Sequence, residues 1–338
     1  MAYANKILLI CLFSLLKICS SQSSNLTVAT DGSGDYRTIN EAVEASPSLS
    51  KLPYFIHIRK GTYKENVLIP QNKMNLVFRG EGMLVTKIIG HRNSASGFGT
   101  QDSATLIVLG DGFMAHDISI INTAGPNGHQ AVALRTEADR CIFYRCRFEG
   151  YQDTLYVKRY RQFYRECDIF GTVDFIFGQS TTILQNCNIY DRKPNRGQSI
   201  TITADGRYGS EKKTGIVLHN CSILATKELD RAKKNFSSYF GRPWRSYSTT
   251  VVMQSLIGDF ISREGWSPWS KDDNKTLSTL TYIEYKNRGP GAKTKERVKW
   301  EGFKVYNNSK DVLKYTVRNF LKGTEWVPST GVPFTADL

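Results

Sequence analysis

Tyr144-Arg145-Cys146-Arg147-Phe148, Arg165-Glu166-Cys167-Asp168-Ile169, Gln185-Asn186-Cys187-Asn188-Ile189 and His219-Asn220-Cys221-Ser222-Ile223 are four versions of one short element. Their cysteines follow one another at steps of 21, 20 and 34 residues. In each, β-branched or aromatic residues alternate with polar ones, the period of a strand. Ala115-His116-Asp117-Ile118-Ser119-Ile120 looks like the same element without the cysteine, and Val252-Met253-Gln254-Ser255-Leu256-Ile257 continues the series. A period just above 20 is too short for a helical-hairpin repeat, and the scarcity of helical periodicity argues against leucine-rich repeats. The pattern predicts an all-β fold: a right-handed, single-stranded parallel β-helix in which each coil stacks on the last. The 34-residue step then needs a long loop, expected in residues 191–214, which are rich in Lys, Arg, Gly and Asn.

A solenoid needs capped ends. Residues 38–46 predict a short amphipathic capping helix, with Thr38 as N-cap and Ile39, Ala42 and Val43 on one face. A second short helix is expected at 310–322, and no linker divides the chain. Cys11 and Cys19 fall in the N-terminal segment, leaving Cys141, Cys146, Cys167, Cys187 and Cys221. Stacked strands lie about 4.8 Å apart, inside the Cα range of a disulfide. Cys146–Cys167 and Cys187–Cys221 bridges are therefore open to the chain, as is a ladder of free thiols. The spacing of Cys and His suggests no metal site.

Lys6, the apolar run at 7–16 and the small polar residues 20–24 read as a signal peptide. The run is too short to span a bilayer, so an exported protein without a membrane anchor is expected. Asn25, Asn220, Asn235, Asn274 and Asn307 open N-x-S/T triplets, which fits a secreted glycoprotein; Asn220 is the weakest, because a strand is expected there. The formal net charge is +14. Removing Lys6 and Lys17, with no acids lost, leaves about +12. No nucleic-acid-binding pattern accompanies this charge, and the compartment is wrong for one. An acidic wall polysaccharide suits both charge and export.

Three segments carry polar groups in apolar surroundings: Gln130-Ala131-Val132-Ala133-Leu134-Arg135, Tyr151-Gln152-Asp153-Thr154-Leu155-Tyr156 and Gly171-Thr172-Val173-Asp174-Phe175-Ile176-Phe177-Gly178. A carboxylate between Val173 and Phe175 is costly to bury unless it is paired. Asp153 and Asp174 are 21 residues apart, the step from Cys146 to Cys167. The two aspartates therefore share one face, one coil apart. Gln130 lies 22 residues before Gln152, about one coil further on. Two neighbouring carboxylates do not both ionise readily, so one keeps its proton while the other is charged. In Phe240-Gly241-Arg242-Pro243-Trp244, Arg242 can hold the charged one and Trp244 offers a flat face to a sugar. The glutamine amides suit a developing oxyanion. No Gly-x-Ser-x-Gly is present. On chemistry alone an esterase and a glycosidase both remain open.

The chain resembles the plant-type pectin methylesterases (pectinesterases). The match runs through Asp31-Gly32-Ser33-Gly34-Asp35, Gly61-Thr62-Tyr63-Lys64-Glu65, Asn122-Thr123-Ala124-Gly125, the Gln130, Asp153 and Asp174 segments, Gly241-Arg242-Pro243-Trp244 and Gly265-Trp266. The resemblance implies Asp174 as nucleophile on the methyl ester of a galacturonate and Asp153 as general acid, then base. It implies Gln152 and Gln130 as oxyanion stabilisers, Arg242 holding Asp174, and Trp244 and Thr100 at the sugar. It implies no cofactor, methyl-esterified pectin as substrate, proteinaceous inhibitors as partners, a monomer, and a location in the cell wall. Residues 1–24 would be the signal and 25–338 one catalytic domain, without the inhibitory pro-region of many relatives. Gln101 stands where a phenylalanine often follows the threonine, and Lys158 where a histidine is common. Two other readings stay open: a backbone-cutting lyase or hydrolase, although no acidic calcium cluster is apparent, and a non-catalytic wall-binding protein.

Overall fold

The computed structural model describes residues 25–271 and 273–338, so the predicted signal segment lies outside the described residues. The chain winds as a parallel β-helix through three parallel sheets of eleven, eight and seven strands. One coil illustrates the rest. Arg161–Arg165 lies in the first sheet, Asp168–Gly171 in the second and Ile176–Gly178 in the third, and Thr181–Gln185 returns to the first. Parallel strands joined by short crossovers take the right-handed sense.

Strand alternation sorts the first sheet's side chains. Phe143, Tyr164, Leu184, Leu218 and Val252 stack in register and fill the interior. Their neighbours Ile142, Phe163, Ile183, Val217 and Val251 point outward. Those outward residues are covered by the C-terminal segment, through Val312, Tyr315, Val317, Leu321, Trp326 and Val327. The short helices Leu313–Tyr315 and Val317–Phe320 in this segment thus lie along the sheet's flank. At the N-terminus, Thr38 caps the helix Ile39–Ala45 in a capping box with Glu41, and Ile39, Ala42 and Val43 are buried. Glu65 supplies a second acceptor there, taking the N–H groups of Ile39 and Asn40 at 2.9 and 3.0 Å.

The cysteine-centred segments are not single strands. Each is the end of one strand, a one-residue corner and the start of the next. The residue before the ladder position is left-handed in every case: Asp117, Arg145, Glu166, Asn186, Asn220 and Gln254, with φ between 50° and 60°. That residue turns the chain from the first sheet into the second. The next side chain points inward and is fully buried: Ile118, Cys146, Cys167, Cys187, Cys221 and Ser255. Asn220 accordingly sits at an exposed corner, and its amide oxygen accepts from Arg288 at 3.3 Å. The described cysteines are free. The Cys146 and Cys167 N–H groups donate to the sulfurs of Cys167 and Cys187 at 3.4 Å. The thiols of Cys146, Cys167 and Cys221 donate inward to the carbonyls of Ala115, Phe143 and Leu184 at 3.3 Å.

The expected long loop at 191–214 is two loops. Between them lies the buried strand Ile200–Asp205, which pairs with Ile176–Gly178 and Ser238–Gly241. Its β-branched alternation, Ile200-Thr201-Ile202-Thr203, was masked by the basic and glycine-rich residues on either side. Asp205 ends it, fully buried, and accepts from the Thr249 N–H at 2.7 Å.

Two outcomes test this description. Reducing agent should leave the thermal unfolding midpoint unchanged, and the denatured protein should titrate five thiols from residues 25–338. Desolvation pushes the Asp205 carboxyl up to about 7, from 3.8. Between about pH 4 and 7 the folded chain keeps a proton there that the unfolded chain releases, so this residue's contribution to stability falls as pH rises. The unfolding midpoint of Asp205→Asn relative to the unaltered protein should therefore rise across that window.

Candidate active site

The corner between the second and third sheets builds the site. Asp153 and Asp174 occupy it in successive coils, again left-handed, at φ 63° and 50°. Aspartate tolerates this conformation better than most residues. The Asp153 N–H donates to the Val173 carbonyl at 3.0 Å, and Leu155 pairs with Ile176, which sets the aspartates in register. Gly171 makes the second corner possible, because a Cβ there would lie 2.1 Å from that of Phe175.

The two carboxylates differ in their surroundings. Arg242 grips Asp174 with two bonds, Nε to Oδ1 at 2.8 Å and Nη2 to Oδ2 at 2.7 Å. Thr201 Oγ donates to the same Oδ1 at 2.7 Å and accepts the Asp174 N–H at 2.9 Å. Arg242 is itself held by its N–H on the Thr203 carbonyl, at 3.0 Å, and by the ring of Trp269 beneath its guanidinium, at 4.3 Å. Asp153 is 8% exposed. Burial pushes its carboxyl well above the usual range, and the neighbouring Asp174 charge adds to this, with Arg242 opposing. Asp153 thus keeps its proton to higher pH than an ordinary aspartate.

Gln130 and Gln152 pair directly across one coil step. Ser94 donates to the Gln130 amide oxygen at 2.7 Å, which leaves that amide's NH₂ free to donate. The floor is the outer face of the third sheet. Tyr156 and Phe177 stack there at 4.3 Å, and Trp244 stands edge-on to Phe177. The cleft encloses about 470 Å³ and brings together Thr100, Gln130, Gln152, Asp153, Asp174, Arg242 and Trp244. All seven residues singled out in the sequence meet in it.

Five participants were not singled out: Thr201, Trp269, Tyr156, Phe177 and Ala204. Tyr156 and Phe177 carried a usable signal, each lying three residues beyond an aspartate. Thr201 did not, since it follows Asp174 by 27 residues rather than one regular coil. Trp269 lies in an irregular stretch outside the repeat.

Fold and site together define a parallel β-helix protein with a paired-carboxylate cleft on its outer face. The chain belongs to the Pectinesterase family, whose model matches residues 25–324. It is 49% identical to pectinesterase 2 of Citrus sinensis over 315 residues, 93% of this chain and 61% of that protein. It is also 49% identical to pectinesterase/pectinesterase inhibitor 3 of Arabidopsis thaliana, over 94% of this chain and 54% of the other. The chain thus spans little more than half the length of these curated relatives. The structure of pectin methylesterase from carrot superposes with a TM-score of 0.93 at 47% identity, covering 94% of this chain and 99% of that one.

Thr201→Val removes one donor to Asp174 and one acceptor of its N–H while keeping the side chain's shape. It should lower stability by about 1–3 kcal/mol, read from denaturant unfolding at neutral pH.

Proposed function

We propose that the protein hydrolyses methyl esters of galacturonate units in pectin, releasing methanol and leaving free carboxylates. The observation that carries this reading is the asymmetry of the aspartate pair: one carboxylate is ion-paired, while its neighbour is driven by burial to retain a proton. An ester cleft needs both forms at once. Asp174 Oδ attacks the ester carbonyl carbon. The carbonyl oxygen becomes an oxyanion, met by the amides of Gln152 and Gln130. The intermediate collapses, the C–O bond to the methoxy group breaks, and Asp153 gives its proton to the departing methanol. The acyl group is left on Asp174 as an anhydride. Asp153, now a carboxylate, takes a proton from water, which attacks the anhydride carbonyl. Collapse frees Asp174 and the galacturonate carboxyl group, whose proton passes to solvent, and Asp153 is protonated again.

Thr100 and Trp244 would contact the sugars beside the reacting unit. Residues 25–338 would act as one catalytic unit without a metal or other cofactor. Export through the segment before Asn25 would deliver it to the cell wall, where proteinaceous inhibitors could cover the cleft.

Methanol release from methylated pectin tests the proposal, and a preparation that releases none between about pH 5 and 9 would sink it. Asp174→Asn should reduce kcat by at least about 10³-fold, in the range seen when a nucleophile is removed. Its circular dichroism spectrum should match that of the unaltered protein. Chain shortening of de-esterified polygalacturonate would instead support a backbone-cutting enzyme.

A further inference from the structure

The two positions at which the chain departs from its family resemblance, Gln101 and Lys158, meet in space. Lys158 Nζ donates to Gln101 Oε1 at 3.3 Å and to Glu137 Oε2 at 2.8 Å. Arg135 Nη2 donates to the same Glu137 oxygen at 2.7 Å, and its Nη1 to the Gln101 carbonyl at 3.4 Å. Arg159 Nε stands 3.7 Å from the other Glu137 oxygen. Three cations thus surround one carboxylate, an excess of two positive charges. The side chains of Arg135, Glu137 and Lys158 are only 12, 18 and 19% exposed, so these three are tied down, whereas Arg159 is largely exposed.

Its position gives it meaning. Arg135, Tyr156, Phe177 and Ala204 form one row across the outer face of the third sheet, and the last three floor the cleft. Lys158 follows Tyr156 by two residues, so it faces the same way. Gln101 lines the cleft beside Thr100. The charge excess therefore sits at the cleft's edge, where the next units of a linear polymer would pass.

We infer that Lys158, oriented by Gln101 and Glu137, forms with Arg135 a subsite for the free carboxylate of an already de-esterified uronate unit. This rests on the proposed pectin substrate and adds to it a preference beyond the reacting ester. A methyl ester offers no charge to this cluster, whereas a carboxylate offsets one of its two excess positive charges. Gln101 is a positioning residue here, acting through Lys158.

The test is binding, which does not depend on turnover. Dissociation constants are measured by calorimetry for a hexamer of galacturonate with free carboxylates and for its fully methylated counterpart. Lys158→Gln should weaken binding of the acidic hexamer about three- to tenfold, as expected for a charge at an interface rim. It should leave the methylated one within about twofold. The difference should collapse at about 0.5 M salt, where the Debye length is only a few ångströms. Gln101→Leu should shift the acidic hexamer in the same direction by less. Equal weakening of both hexamers, or no weakening of either, would overturn the subsite. If the differential holds but methylated pectin yields no methanol, the catalytic reading falls and the carboxylate subsite stands.

Discussion

In-register stacking of one coil on the next is the constraint on which the molecule depends. Parallel backbone hydrogen bonds run from coil to coil in all three sheets, so a residue's place is set by its neighbours above and below. A corner that shifted by one residue would move every following side chain to the opposite face. The left-handed residue before each ladder position prevents this. It turns the strand within a single residue and always presents the next side chain to the interior. The second corner, at Asp153 and Asp174, uses the same device and brings its side chains to the cleft. One conformational element thus serves core and site.

Much of this was legible in the sequence, because a repeat converts spacing into distance. The cysteine steps established the coil, the coil brought Asp153 beside Asp174, and the same count paired Gln130 with Gln152. Thr38 and Glu41 announced their helix through capping chemistry that is local in sequence. What escaped notice lay where the period breaks. Residues 192–199 loop out between the second and third sheets, so Thr201 stacks under Asp174 at an irregular separation and its strand is hidden among polar residues. Trp269 comes to Arg242 from outside the repeat altogether. The cysteines illustrate another limit. Spacing brings them near one another but does not orient sulfur. The structure turns the thiols of Cys146, Cys167 and Cys221 toward backbone carbonyls, leaving them as hydrogen-bond donors.

Burying charge sets the energetic terms of the cleft. A carboxylate with little exposure is tolerated when its lone pairs are satisfied, and Asp174 receives two guanidinium N–H groups and a hydroxyl. Among the described residues, the ion pair belongs to Asp174 and not to Asp153. The scaffold thereby separates two chemically identical side chains by pairing Arg242 with one of them. Arg242 in turn is fixed by Thr203 and Trp269, so the asymmetry does not depend on a freely moving side chain.

This arrangement also explains why an extended scaffold suits the site. Left-handed backbone and buried carboxyl groups both work against stability, and they persist only where the surroundings over-determine them. Here each aspartate's N–H is bonded to the next coil, Asp153 to the Val173 carbonyl and Asp174 to the Thr201 hydroxyl. Neither can relax without breaking the stack on which its neighbours depend. The face that holds them repeats along the helix axis, so aromatic residues and charges from successive coils line up beside the aspartate pair. A cleft built this way presents positions ordered along the helix axis. Gln101 and Lys158 bond to each other at the edge of this cleft, apart from the Asp174–Arg242 pair.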